Sequence, residues 1–299
     1  MRKDLISTED LSAEEIFELI ERAKIFKKLN KERVKKTRDL EGATVVNAFF
    51  ENSTRTRMSF EIAEDRLGAD AVNLTPSISS TQKGETLADT IKNIESMQTD
   101  FFVLRHFNSG AAAYVASRTP AHVINAGDGC NEHPTQALLD LFTIYERKGD
   151  FKGLSVAIIG DIFHSRVARS NIYAMKKLGV KVRLFGPPMA MRGAEVFGCE
   201  VSSNLNEAIA GADVIIMLRI QLERQEGEVP YPGEYAKYFG LNAAGLALAA
   251  PDALVLHPGP VNRGVEMTSE VMDEKSQVFN QVENGVAMRM AVLKTLHEA

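Results

Sequence analysis

Residues 53–57 read Ser-Thr-Arg-Thr-Arg. They follow the apolar run VVNAFF (45–50) and precede a helical pattern, MSFEIAEDRLGA. If the run is a strand feeding a helix that starts near Ser53, the first turn presents free backbone N–H groups and the positive end of the helix dipole. Ser53, Thr54 and Thr56 add hydroxyls, and Arg55 adds a planar fork of donors. That set suits a phosphate-sized anion. An ordinary capped helix with solvated arginines would use the same residues.

Three further stretches carry chemistry. In SSTQKGETLADTIKNIESM (79–97), Leu87, Ile91 and Ile94 lie at helical spacing behind a polar loop with one lysine, Lys83. That lysine is either solvated or part of a lid that brings a cation to an anionic ligand. In NEHPTQALLD (131–140), His133 precedes Pro134, a residue suited to the first helical position. A histidine there can donate to a ligand from the helix mouth, or simply cap the helix. In the second half, Arg166 lies in GDIFHSRVARS, and Arg219 and Gln221 lie in MLRIQLERQEGE. Two arginines at two strand ends suggest a ligand with two carboxylates; salt-bridged arginines are the alternative.

Other chemistries find little support. The chain has no GxSxG, HExxH or P-loop lysine motif and no set of metal-ligand spacing, and its six histidines are widely separated. Gly160-Asp161 after an apolar run suggests a dinucleotide fold, but GxGxxG is absent. The residues that converge are donors and cations. They stabilise developing negative charge and orient reactants; they do not by themselves indicate a covalent nucleophile.

The elements that position them are legible as apolar runs: 43–50, 100–106, 121–126, 154–161, 180–186, 212–219 and 252–259. Short runs apolar almost throughout suit parallel strands covered on both faces, and their alternation with helical patterns argues for α/β architecture. Ser12 and Glu15 have capping-box spacing ahead of Ile16, Leu19, Ile20 and Ala23. The candidate groups sit at strand ends: Ser53–Arg57, Arg105, GDGCNEHPTQ (127–136), Arg166, Arg219 and His257-Pro258. Ligands of open α/β sheets bind beyond the carboxyl ends of strands. The expectation is therefore two α/β domains, each with a mostly parallel sheet flanked by helices, and an active site in the cleft between them. The boundary is expected near the helix opened by His133-Pro134. The last segment is helical in pattern and expected to pack back on the first domain, which gives 1–134 plus 283–299 and 135–282.

Composition bounds the rest. The chain has 299 residues, 44% of them hydrophobic and 25% charged, with a net charge of -5. That length accommodates two ordinary domains. The negative balance offers no reason to propose nucleic acid, no apolar run approaches the roughly 20 residues that span a membrane, and the N-terminus has no apolar signal core. A cytoplasmic protein is expected. Cys130 and Cys199 form no CxxC, and no disulfide is suggested.

FFENSTRTRMSFE, QKGETLADT, LRH, INAGDGCNEHPTQALLDLFTI, RIQLER and HPGPVNRGVE together resemble the catalytic chains of the aspartate carbamoyltransferase family, in order, from about residue 40 to the C-terminal helix. STRTR and HPTQ mark carbamoyltransferases broadly; QKGE with RIQ–ER is more specific to the aspartate enzymes. The resemblance implies carbamoyl transfer from carbamoyl phosphate to the amine of L-aspartate, a step of de novo pyrimidine biosynthesis, without metal or organic cofactor. It implies that 1–134 plus 283–299 binds carbamoyl phosphate and 135–282 binds aspartate. It assigns Ser53, Thr54, Arg55 and Thr56 to the phosphate, and Arg105, His133 and Gln136 to the carbamoyl end. Ser79 and Lys83 match a loop inserted into a neighbouring subunit's site, Ser79 toward carbamoyl phosphate and Lys83 toward aspartate. Arg166, Arg219 and Gln221 match the groups that grip aspartate, and Pro258 with the Gly259 carbonyl lines the cleft. Of these, Arg55, Thr56, Lys83, Arg105 and His133 are the implied catalytic groups. Glu51 is implied to pair with Arg166 and Arg224 on domain closure. Gly259 stands where the family often has Leu.

The resemblance further implies a homotrimer with shared active sites, leaving open whether trimers occur alone, with regulatory chains or with dihydroorotase. The nearest alternative is an ornithine carbamoyltransferase, whose relatives carry a serine-methionine-glycine segment and a cysteine near the last strand; here those places read RIQLER and LHPGP. A non-catalytic relative acting as a scaffold is opposed by the presence of Arg55, Lys83 and His133.

Overall fold

The structure is a computed structural model; it describes residues 2–74, 85–220 and 231–299. Ser79, Lys83, Gln221 and Arg224 lie outside the described residues. The chain divides into two compact units, Met1–Leu139 with Glu283–Ala299, and Asp140–Val282.

The first unit runs α1 (Ala13–Leu29), β1 (Thr44–Phe49), α2 (Thr54–Leu67), β2 (Asp70–Leu74), α3 (Leu87–Glu95), β3 (Phe101–His106), α4 (Ala111–Ala116) and β4 (His122–Asp128), and then enters α5 (Pro134–Lys148). Its sheet has the order β2-β1-β3-β4, with every pairing parallel. Strands β1 and β3 are buried almost throughout, as runs covered on both faces should be. The capping box forms: Ser12 Oγ accepts from Glu15 N, and Glu15 Oε2 accepts from Ser12 N. Ile16, Leu19, Ile20 and Ala23 of α1 are buried.

The second unit carries β5 (Ser155–Ile159), α6 (Arg166–Lys177), β6 (Lys181–Phe185), β7 (Glu200–Val201), α7 (Leu205–Ile209), β8 (Val214–Met217), α8 (Pro232–Phe239), α9 (Ala243–Leu246) and β9 (Leu254–Leu256). Its parallel sheet has the order β7-β6-β5-β8-β9. The last helix, α10 (Val278–His297), begins in this unit, but from Glu283 onward it belongs to the first. There Arg289 Nη1 donates to Ser59 Oγ at 2.8 Å, its guanidinium stands 5.0 Å over the Phe60 ring, and Lys294 pairs with Asp39 at 2.6 Å. The C-terminal helix thus braces α2, the helix that opens after Ser53.

Gly160 and Gly186 end β5 and β6 in close approach. Gly160 N donates to Phe185 O at 2.8 Å, and a Cβ on Gly186 would stand 2.0 Å from the Gly160 carbonyl oxygen. These glycines answer to backbone packing, not to a dinucleotide. Gly186→Ala is expected to cost ~1–3 kcal/mol or more, because only backbone can move; a thermal melt within a degree of wild type would contradict this. No helix among the described residues is long and apolar enough to cross a membrane. Both cysteines are free.

Candidate active site

In the first unit the chain leaves β1 to form β2 on one side and returns to form β3 on the other. The carboxyl ends of β1 and β3 are therefore a topological switch point, where open α/β sheets bind ligands. Phe49 and Arg105 are paired across it, and Phe50 N donates to Arg105 O at 2.8 Å. The segment after β1 opens α2 with Ser53 as N-cap in extended backbone (φ -160), and Ser53 makes no side-chain cap bond. The first turn of α2 holds no acid, so no carboxylate of its own offsets the dipole. Ser53, Thr54, Arg55 and the buried Thr56 are thereby brought to one helix mouth. Arg57 turns to Glu61 one helical turn on, at 3.5 Å.

Arg105 is only 8% exposed. Its Nη1 donates to Ala126 O at 3.1 Å and its Nη2 to Glu51 Oε1 at 2.9 Å. This fixes the guanidinium beside the switch point. Glu51, the residue implied in closure, is here the ion-pair partner of Arg105 inside its own unit.

His133 is buried at the start of α5, and its carbonyl accepts from Gln136 N and Ala137 N. The loop that delivers it is held by two buried acids that the sequence reading passed over. Asp128 accepts from Gly110 N (2.7 Å), Asn125 Nδ2 (2.8 Å) and Glu132 N (3.1 Å). Glu132, directly before His133, accepts from Thr8 N at 2.8 Å, from Thr8 Oγ1 at 2.7 Å and from Ser7 Oγ. Both carboxyl groups have hydrogen-bond partners, as buried polar groups require. Nearby, burial holds the His106 imidazole below its usual range, and its Nδ1 accepts from Asn108 N at 2.9 Å.

The second unit repeats the logic. From β5 the chain builds β6 and β7 on one side, then β8 and β9 on the other, so β5 and β8 flank its switch point, with Ile159 paired to Met217. Arg166 follows β5 as the first residue of α6, buried, behind the cap Ser165, whose Oγ accepts from Ala168 N. Arg219 follows β8 by two residues. The two arginines thus stand after the two strands that define the crevice. Asp161 accepts from the His164 backbone and ring. Tyr235 is buried beneath the β5 end, its hydroxyl 3.1 Å from where a Gly160 Cβ would be; burial, with Glu266 and Asp161 nearby, pushes that hydroxyl's pKa far up. Pro258 and Gly259 follow β9, with Gly259 at φ +63, a conformation that favours glycine. Among the described residues, no group of three or more His, Cys, Asp or Glu side chains is placed to hold a metal.

Residues 3–146 match the family model "Aspartate/ornithine carbamoyltransferase, carbamoyl-P binding domain", and residues 152–296 match "Aspartate/ornithine carbamoyltransferase, Asp/Orn binding domain". The catalytic subunit of aspartate carbamoyltransferase from Campylobacter fetus subsp. fetus is 65% identical over 302 residues, covering 100% of this chain and 97% of its own.

The chain belongs to the aspartate carbamoyltransferase family.

The corresponding subunit of Syntrophotalea carbinolica is 54% identical, over 97% of this chain and 94% of its own. Among solved structures, aspartate transcarbamoylase of Trypanosoma cruzi in complex with N-(phosphonacetyl)-L-aspartic acid matches with a TM-score of 0.85 at 31% identity, covering 98% of this chain and 95% of that one. Ornithine carbamoyltransferase of Thermus thermophilus matches with a TM-score of 0.84 at 29% identity, covering 99% of each. The fold is thus common to aspartate and ornithine carbamoyltransferases, and it is sequence that separates them.

Proposed function

We propose that this chain transfers the carbamoyl group of carbamoyl phosphate to the amine of L-aspartate, giving N-carbamoyl-L-aspartate and phosphate, the step that serves de novo pyrimidine biosynthesis. The observation that carries the reading is the 65% identity, end to end, with an aspartate carbamoyltransferase catalytic subunit. Arg166 and Arg219, after the two strands of one switch point, support a substrate with two carboxylates rather than a side-chain ammonium.

In this reading residues 1–134 with 283–299 bind carbamoyl phosphate, residues 135–282 bind aspartate, and the reaction occurs in the cleft between them. The mouth of α2 with Ser53, Thr54, Arg55 and Thr56 holds the phosphate. Thr56, Arg105 and His133 donate to the carbamoyl oxygen, and Gln136 orients the carbamoyl group. The aspartate amine attacks the carbonyl carbon, the oxygen takes up negative charge, the C–O bond to phosphate breaks, and the departing phosphate accepts the amine proton. Arg166, Arg219 and Gln221 hold the two carboxylates, and Pro258 and Gly259 line the pocket. Ser79 and Lys83 reach a neighbouring subunit's site, and Glu51 with Arg166 and Arg224 serves closure. Positioning alone can supply roughly 7–11 kcal/mol. A cytoplasmic homotrimer with shared sites completes the reading. The edge strand β2, with Val72 exposed, and the exposed Met58 and Ile62 of α2 support a subunit surface on the first unit; sedimentation of the purified chain as a monomer would remove the trimer.

A colorimetric ureido assay with carbamoyl phosphate and either L-aspartate or L-ornithine tests the reaction. Carbamoyl aspartate is expected. Citrulline instead would mean that the Arg166–Arg219 pocket is misread. Neither product, from protein that is folded and supplied with candidate regulatory chains, would end the enzymatic reading.

A further inference from the structure

We propose that Glu266 is a positioning residue for aspartate binding: its single buried carboxylate locks the strand end that bears Arg219 to the loop that bears Pro258 and Gly259. The inference rests on the assignment of the second unit to aspartate.

Glu266 is fully buried. Its Oε1 accepts from Ile220 N at 3.0 Å and from Asn262 Nδ2 at 2.7 Å; its Oε2 accepts from Asn262 N at 2.7 Å. Ile220 N belongs to the peptide that leaves Arg219. Asn262 Nδ2 also reaches Ile220 O at 3.3 Å, so Ile220 is gripped at both of its peptide groups. On the far side, His257 Nε2 stands 3.8 Å from Glu266 Oε2, while its Nδ1 accepts from Gly259 N at 2.7 Å. An accepting Nδ1 leaves the ring hydrogen on Nε2, facing the carboxylate. A chain of hydrogen bonds runs outward from His257: His257 N donates to Gln281 Oε1 (3.0 Å), Gln281 Nε2 to Asp140 Oδ1 (2.7 Å), and Asn171 Nδ2 to Asp140 Oδ2 (2.9 Å). Glu266 and Asn262 thereby tie the strand end after β8 to the loop after β9, and His257 ties that loop to helices α5, α6 and α10. Burial pushes the Glu266 pKa up, and the donors of Ile220 and Asn262 pull it back.

The chemistry requires two acceptor oxygens. Donors approach Glu266 from both sides, and a buried donor left unmet is costly. A glutamine offers one acceptor and one NH2 group; whichever way it turns, the NH2 faces an N–H. With the NH2 toward Ile220 that N–H is left unmet, and with the NH2 toward Asn262 the loop's backbone donor is; either way the tie between the strand end of Arg219 and the loop is weakened. A displacement of a binding group by about 1 Å is enough to cost orders of magnitude in a positioned reaction.

The experiment is steady-state kinetics on the full chain with each substrate varied in turn. Wild type is measured first. Glu266→Gln is expected to raise the KM for aspartate by tenfold or more while the KM for carbamoyl phosphate stays within twofold. Asn262→Ala keeps the backbone donor to Oε2 and removes the side-chain hold on Ile220 O. It is expected to move the aspartate KM in the same direction by a smaller factor, and it carries the test alone if Glu266→Gln does not fold. Unchanged aspartate KM in the folded variants, or a parallel rise of both KM values, would overturn the role of Glu266 and leave the reaction assignment standing. A folded wild type that makes no carbamoyl aspartate, with candidate regulatory chains supplied, would instead overturn the assignment and this inference with it.

Discussion

Arg105→Ala is expected to lower kcat for carbamoyl transfer by about 10²–10³-fold, the ~2.7–4 kcal/mol that one preorganised donor to a developing oxyanion is worth. The argument is geometric. Arg105 lies at the carboxyl end of β3, beside the end of β1 and the helix mouth after Ser53. Its side chain is fixed by Ala126 O on one side and Glu51 on the other, so its donors need no reorganisation at the moment of reaction. The same pairing complicates the variant. Removing the guanidinium takes an ion-pair partner from the Glu51 side chain, which is only 15% exposed, and loss of one partner of a buried pair can cost ~3–5 kcal/mol of stability. Set beside Glu51→Gln alone, whose own loss of turnover reports the closure pairing, the double variant Arg105→Ala/Glu51→Gln separates the effects. It should recover much of the thermal stability and none of the turnover. A single variant with kcat within threefold of wild type would remove Arg105 from the chemistry. Recovery of turnover in the double variant would make its role a structural one.

The seven apolar runs were legible because parallel strands buried on both faces leave a continuous apolar record; β1, β3, β5, β6, β8 and β9 fall within them, and β4 begins in the third run and extends two residues past it. Strand β2 left none. It is the edge strand of its sheet, and Asp70, Ala71, Val72 and Asn73 are exposed, so its residues answer to no core. Two-residue β7 is too short to make a pattern. Which strand ends hold candidate groups could be read locally; which of them are neighbours could not. The order β2-β1-β3-β4 places Arg105 beside the segment after Phe49, and β7-β6-β5-β8-β9 places Arg219 beside the segment after Ile159. Those two neighbourhoods rest on the β1–β3 and β5–β8 pairings, each across more than 50 residues of chain, to which a local motif is blind. The buried acids were missed for the same reason. Asp128, Glu132, Glu64 and Glu266 resemble surface charges until their partners are known, and Thr8 meets Glu132 across 124 residues of chain. The one available signal was position: Glu132 directly precedes His133.

Glu64→Gln is expected to stabilise the first unit at pH 8 and to leave it nearly unchanged near pH 4.5. Glu64 lies on α2, fully buried, where it receives Asn47 Nδ2 from the middle of β1 at 2.8 Å. Burial raises its pKa from 4.5 to about 8; the Asn47 hydrogen bond opposes the shift and the charge of Glu61 adds to it. Below pH 4.5 the carboxyl is protonated in folded and unfolded chains alike. Between pH 4.5 and about 8 the unfolded chain gives up this proton while the folded chain retains it, so stability falls as pH rises. At ~1.4 kcal/mol per unit over roughly 3.5 units, the ceiling on this loss is ~5 kcal/mol. Glutamine has nearly the same shape, keeps an acceptor for Asn47 and cannot ionise. Other titrating groups shift both proteins together, so the quantity to read is the difference between wild type and variant, from denaturant unfolding at pH 5, 6, 7 and 8. That difference should widen steadily with pH in favour of the variant. Parallel curves would mean that Glu64 is ionised in the folded chain at neutral pH. The charge would then be bearing directly on the β1–α2 connection that shapes the proposed phosphate site, and the variant should disturb carbamoyl phosphate binding instead of stability.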